Sequence, residues 1–100
     1  VLDLVATGAK HAERSDYEGA VDFMLQAVRK TPGNTQVGLN AALVLLKLIE
    51  HRGWNEKFAA QARGLVDRAR HSDPSNPRLA SLTAYFQNML SKYGIQPGRS

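Results

Sequence analysis

An all-α domain of five antiparallel helices is the fold this sequence predicts, and three observations predict it. Apolar residues recur at helical spacing through five segments, each bounded by a capping residue, a proline or a glycine. No stretch alternates apolar and polar residues with the period of a strand. The second pair of segments repeats the residue pattern of the first at a shift of 42 residues.

Helix 1 covers residues 1–14 and places Leu2, Val5, Ala9 and Ala12 on one face. Ser15-Asp16-Tyr17-Glu18 then reads as a capping box, in which the Ser15 hydroxyl accepts from the Glu18 N–H and the Glu18 carboxylate reaches back. Helix 2 follows, with Ala20, Val21, Met24, Ala27 and Val28 on its apolar face. It must stop at Thr31-Pro32-Gly33, because proline restricts the residue before it and offers no donor. Asn34 or Thr35 caps helix 3, which is apolar almost all round from Val37 to Ile49, as expected of a central element covered on two sides. His51-Arg52-Gly53 closes it, with cations near the last carbonyls and a glycine free to take a positive φ. Asn55 caps helix 4, whose stripe is Phe58, Ala62, Leu65 or Val66, and Ala69, and Asp73-Pro74-Ser75 ends it. Asn76 followed by Pro77 opens helix 5, with Leu79, Leu82, Phe86, Met89 or Leu90, and Tyr93 on its stripe and Gly94 at its end. The helical domain therefore spans 1–94, and residues 95–100 read as a loose, disordered tail.

Size and composition bound the function. With 100 residues and 43% hydrophobic side chains, the chain can build one small core and not two. The absence of cysteine removes disulfides, thiolate nucleophiles and thiolate metal sites, and fits a reducing, cytoplasmic setting. The longest apolar run, Leu39 to Ile49, contains Asn40 and Lys47 and is far short of the roughly 20 residues that cross a membrane. Val1-Leu2 already opens an amphipathic pattern with neither an initiator Met nor a leader signal, which reads as a piece excised from a longer protein. Net charge is +4, unevenly divided: residues 1–50 carry five basic and six acidic side chains, and residues 51–100 carry eight and three. That asymmetry permits an acidic partner surface for the second half, but a solvated helix face is the plainer reading.

Ala20-x3-Met24-x2-Ala27 followed by Pro32-x-Asn34 recurs as Ala62-x3-Val66-x2-Ala69 followed by Pro74-x-Asn76. Small residues at a helix crossing let two axes approach closely, and the larger residue one turn on fills the gap beside them. The matching small residue in the partner helix is expected at Gly8, Ala42 and Ala84. This pattern resembles the tetratricopeptide repeat, W-x2-L-G-x2-Y, then A-x3-F, then P. Its first copy falls on Leu4, Thr7, Gly8, His11, Ala20, Met24 and Pro32, so the small residues and the proline match while the large aromatics do not. A second copy runs from about Thr35 to Pro74 once about eight residues, two helical turns, are inserted around Lys47 to Trp54. The resemblance implies an α-α superhelix of about two and a half hairpins, with the insertion lengthening helices 3 and 4 and helix 5 covering the last face. More narrowly, Gln36-Val37-Gly38-Leu39-Asn40, His51-Arg52-Gly53-Trp54 and Lys92-Tyr93-Gly94-Ile95 look like the C-terminal repeat segment of bacterial response regulators that carry a receiver domain.

Constellations for catalysis are not found. His11, His51 and His71 never share a helical face, so no metal site is expected. The glycines are scattered singly, so neither a phosphate loop nor a dinucleotide fingerprint exists, and no cofactor or small-molecule substrate is expected. Among the carboxylates, Asp16, Glu18 and Asp22 lie together, but Glu18 is taken up by the capping role. His11 falls where the repeat often holds an aromatic, which favours a packed histidine.

What the resemblance implies instead is an adaptor that binds another protein or a peptide segment in a concave groove lined by the first helix of each hairpin. Those positions are Val5, Ala9 and Ala12, then Gln36, Leu39, Asn40, Leu43 and Lys47, then Arg78, Ser81, Tyr85 and Asn88. Only Asn40 and Arg78 match the family's carboxylate clamp, with Val5, Ala9 and Leu82 where its other polar residues stand. An extended or helical segment lying against Leu39, Leu43 and Tyr85 is therefore expected, with Asn40 and Arg78 setting register and Tyr85 and Arg78 as anchors. Nucleic acid is the competing partner, through Arg63, Arg68, Arg70 and His71. It is disfavoured because Asp67 can pair with Arg63 and no aromatic is interleaved for stacking. A third reading has the segment dock on other domains of its parent chain or on a second copy, since about three repeats are needed for comfortable stability.

Overall fold

A computed structural model describes the backbone of residues 2–95 and the side chains of residues 3–95. It contains five helices: α1 (Leu2–Glu13), α2 (Tyr17–Lys30), α3 (Thr35–Arg52), α4 (Glu56–Ser72) and α5 (Pro77–Lys92). No strand occurs among the described residues. The Leu2 side chain, expected on the apolar face of helix 1, and residues 96–100 of the expected tail lie outside them.

Consecutive helices pack on one another, and α3 touches α2, α4 and α5. That central place explains its all-round apolarity: Leu39, Leu45, Leu46, Leu48 and Ile49 are the largest fully buried side chains of the domain. Each such side chain contributes roughly 1.5–3 kcal/mol relative to leaving it in water. Contacts join the beginning of one helix to the end of its neighbour. Tyr17 at the start of α2 packs edge-on against His51 near the end of α3, and Glu18 pairs with Arg52.

The internal repeat is structural as well as sequential. Ala20 and Ala62, Met24 and Val66, and Ala27 and Ala69 are all buried. Backbone bonds recur at the same shift: Thr31 N–H to Ala27 O (3.0 Å) matches Asp73 N–H to Ala69 O (2.8 Å). Asn34 N–H to Thr31 O likewise matches Asn76 N–H to Asp73 O, both at 3.0 Å. Asn34 and Asn76 are N-caps of α3 and α5, their side chains accepting from the Val37 and Arg78 N–H groups. Gly8 is the close-approach position of α1: a Cβ there would stand 3.3 Å from Ala20 O and 3.1 Å from Met24 Cε. The two longest helices are α3, with 18 residues, and α4, with 17, and the turn between them is braced from outside. Trp54 packs on Tyr93 with ring centroids 5.9 Å apart, and the Tyr93 hydroxyl donates to Ile49 O at 3.2 Å.

Four local expectations need correction. Ser15 does not cap α2: it lies at φ 62 in the turn that ends α1, where the Asp16 N–H returns to His11 O at 2.8 Å. The cap moves one residue on, so Asp16 accepts from the Gly19 N–H at 3.2 Å and Glu18 is released to Arg52. Ala84 is exposed, because α5 meets its neighbours through Leu79, Leu82, Met89 and Leu90, and that phase turns Ala84 outward. Asp67 pairs with Arg70 at 2.9 Å rather than with Arg63, whose guanidinium lies over the Phe86 ring. Ile95, expected as the first residue of the tail, is tied down: its N–H donates to Leu90 O at 2.8 Å across Gly94, a Schellman-type helix end.

Gly64 is exposed on α4, and a Cβ there meets nothing within 4 Å. Gly64→Ala is therefore expected to stabilise the domain by about 1 kcal/mol through helix propensity alone. A urea midpoint that rises without a change in slope would show it, and an unchanged or lower midpoint would refute it.

Candidate functional site

The residues expected to form one groove fall into two groups. The first gathers between α1 and α3. Val5, Ala9 and Ala12 recur at spacings of four and three on α1; Leu43, Lys47 and Asn40 do so on α3, and the two rows face each other across a cleft of 330 Å³. Met24 and Val44 are buried at its base, whereas Ala9 is exposed and Val5, Ala12, Asn40, Leu43 and Lys47 are half-buried. Glu13 and Lys47 add opposite charges to an otherwise apolar wall, and Asn40 adds the amide. Such a surface offers apolar area with a few polar groups for orientation, which is the usual composition of a site for a peptide or helix.

The second group ties α5 to α3. Arg78 Nη1 donates to Gln36 Oε1 at 3.0 Å, and the Tyr85 hydroxyl donates to Glu50 Oε1 at 2.9 Å. Arg78 and Tyr85, expected as anchors for a ligand, thus hold partners within the chain. Ser81 and Asn88 are exposed on the same helix. Leu39 is corrected outright: it is 0% exposed, packed in the core of the central helix, and has no surface to present.

Burial, and after it the Glu50 carboxylate, raises the Tyr85 phenol above the ordinary tyrosine value of 10.0. A raised pKa in the folded state means that its contribution is complete below the ordinary tyrosine range and is lost as pH climbs above it. Unfolding followed from pH 8 upward should show stability falling in the alkaline range, and Tyr85→Phe should flatten that fall; equal slopes in both proteins would disprove the coupling.

No family model, curated protein or solved structure matches the chain.

The carboxylates singled out in the sequence separate into unrelated contacts. Asp16 accepts from His11 Nδ1 at 2.6 Å, and that bond, with the Gly19 N–H, holds its pKa below the usual 3.8. Glu18 pairs with Arg52, and Asp22 accepts from Gln26 Nε2 at 3.2 Å. His11 stacks on Phe23 at 5.2 Å, in keeping with a packed histidine, and among the described residues no cluster of three His, Asp or Glu is placed to hold a metal ion.

Several site residues went unrecognised in the sequence. Met24 and Val44 look like plain core positions and gave no sign of forming a cleft base. Glu50 is 35 residues from Tyr85, and nothing local signals the pair. A second cleft lies between α4 and α5 and includes Arg63, Phe86 and Thr83. The clustered arginines of α4 were its visible trace.

Proposed function

We propose that this chain is a non-catalytic protein–protein interaction module of tetratricopeptide type, an adaptor that binds a peptide or helical segment of another protein between α1 and α3. The observation that supports it best is the 330 Å³ cleft, with apolar rows from two helices and Asn40, Glu13 and Lys47 at hand for polar register. The buried 42-residue repeat and the close contact of Gly8 with Met24 support the repeat reading on which the adaptor role rests. The likeness of Gln36–Asn40, His51–Trp54 and Lys92–Ile95 to repeat segments of response regulators favours a cytoplasmic signalling protein as its setting. No helix among the described residues is long and apolar enough to cross a membrane.

Ala9→Glu tests the cleft without touching the core, since Ala9 is exposed. In affinity capture from nuclease-treated lysate, a protein bound by the natural chain should be lost with Ala9→Glu and weakened by Leu43→Ala. Capture that survives Ala9→Glu would refute this cleft as the binding site, and capture abolished by nuclease would transfer the function to nucleic acid.

A further inference from the structure

The cleft between α4 and α5 shares no residue with the one described above. Val66, Leu82 and Leu90 form its buried floor, Phe86 its half-buried wall, and Arg63 and Arg70 stand at its rim. We infer that this cleft is a second docking surface, and that its occupant is an amphipathic protein segment carrying carboxylates beside an apolar side chain.

The volume, 160 Å³, is close to that of cavities of about 150 Å³ that accept a benzene ring, so one large apolar side chain fits. Charge selects the rest of the partner. Asp67 is held by Arg70 at 2.9 Å, and Arg70 also donates to Thr83 Oγ1 at 3.1 Å. Arg63 is left over the Phe86 ring, 5.6 Å from its centroid, with its planar donors held in place for an incoming carboxylate. An acid one turn from the apolar side chain on a partner helix therefore meets Arg63, while Arg70 stays with Asp67 and Thr83. The surplus of basic over acidic residues in positions 51–100 adds attraction of the same sign. Nucleic acid fits the cleft less well: the guanidinium already covers the Phe86 face that a base would stack on.

A fluorescein-labelled amphipathic peptide with a Leu/Phe stripe flanked by Glu is the probe, titrated with the intact chain and read by anisotropy. Saturable binding is expected, weakened about tenfold or more by Arg63→Glu and less by Arg63→Lys, which keeps the charge and loses the planar donors. Arg63 is exposed, and circular dichroism checks that its variants keep their helices. Ala9→Glu should leave this binding unchanged, which separates the inference from the α1–α3 cleft: either can fail while the other stands. Absence of saturable binding, equal binding of a Glu→Lys version of the peptide, or indifference to Arg63→Glu would each overturn the inference. A duplex DNA oligonucleotide bound more tightly than the peptide and released by Arg63→Glu would assign the arginines to phosphate instead.

Discussion

Leu45→Ala is expected to lower the stability of the domain by about 3–4 kcal/mol, a large share of what a chain of this size possesses. Leu45 is 0% exposed on α3, the helix that α2, α4 and α5 all pack against. Truncation there removes the transfer free energy of the lost carbons and leaves a cavity inside the core cluster, into which the surrounding packing relaxes only in part. Leu43, two residues earlier, is half-buried in the α1–α3 cleft, where solvent replaces the lost carbons. Leu43→Ala should cost less than half as much. Urea unfolding of both variants by circular dichroism measures the difference, and equal losses would mean that the cleft is closed in solution.

Gly53→Ala should destabilise the protein by about 2 kcal/mol or more, although no atom would obstruct the new methyl group. The reason is the backbone. Gly53 sits at φ 108, ψ 169, a region that residues with a Cβ essentially do not visit, so the substitution either strains the turn or rebuilds it. Rebuilding disturbs the bond from the Gly53 N–H to Ile49 O at 2.7 Å and moves Trp54 off Tyr93. A lower thermal midpoint together with a changed tryptophan emission is the expected signature. A neutral Gly53→Ala would show that the α3–α4 turn adopts another conformation in solution.

The helices and their ends were legible because they depend on neighbours in sequence. Asn34, Asn55 and Asn76 each cap the helix that follows, as their types and positions announce. Gly53 ends α3 with a positive φ, and the all-round apolarity of α3 marks it as central. Where two local solutions compete, sequence was a poorer guide. Ser15 and Asp16 both suit an N-cap, and the choice fell to Asp16 because His11, one turn back on α1, contributes a second hydrogen bond to the aspartate.

The site was legible only in part. Spacing places Leu39 and Leu43 four residues apart on one face, yet Leu39 is sealed in the core while Leu43 borders the cleft, a difference that other helices make and spacing along α3 does not express. Hydrogen bonds from Arg78 to Gln36 and from Tyr85 to Glu50 cross more than thirty residues of chain, and Asp67 had two arginines within reach on its own helix. Local periodicity, capping and the 42-residue repeat by themselves determined the number of helices, most of their boundaries and most of the core, because those follow from backbone hydrogen bonding and the burial of apolar stripes. Tertiary structure alone decided which half-buried side chains open into clefts and which ion pairs form, because both depend on how far apart the packed helix axes stand, a distance set by side chains from several helices at once.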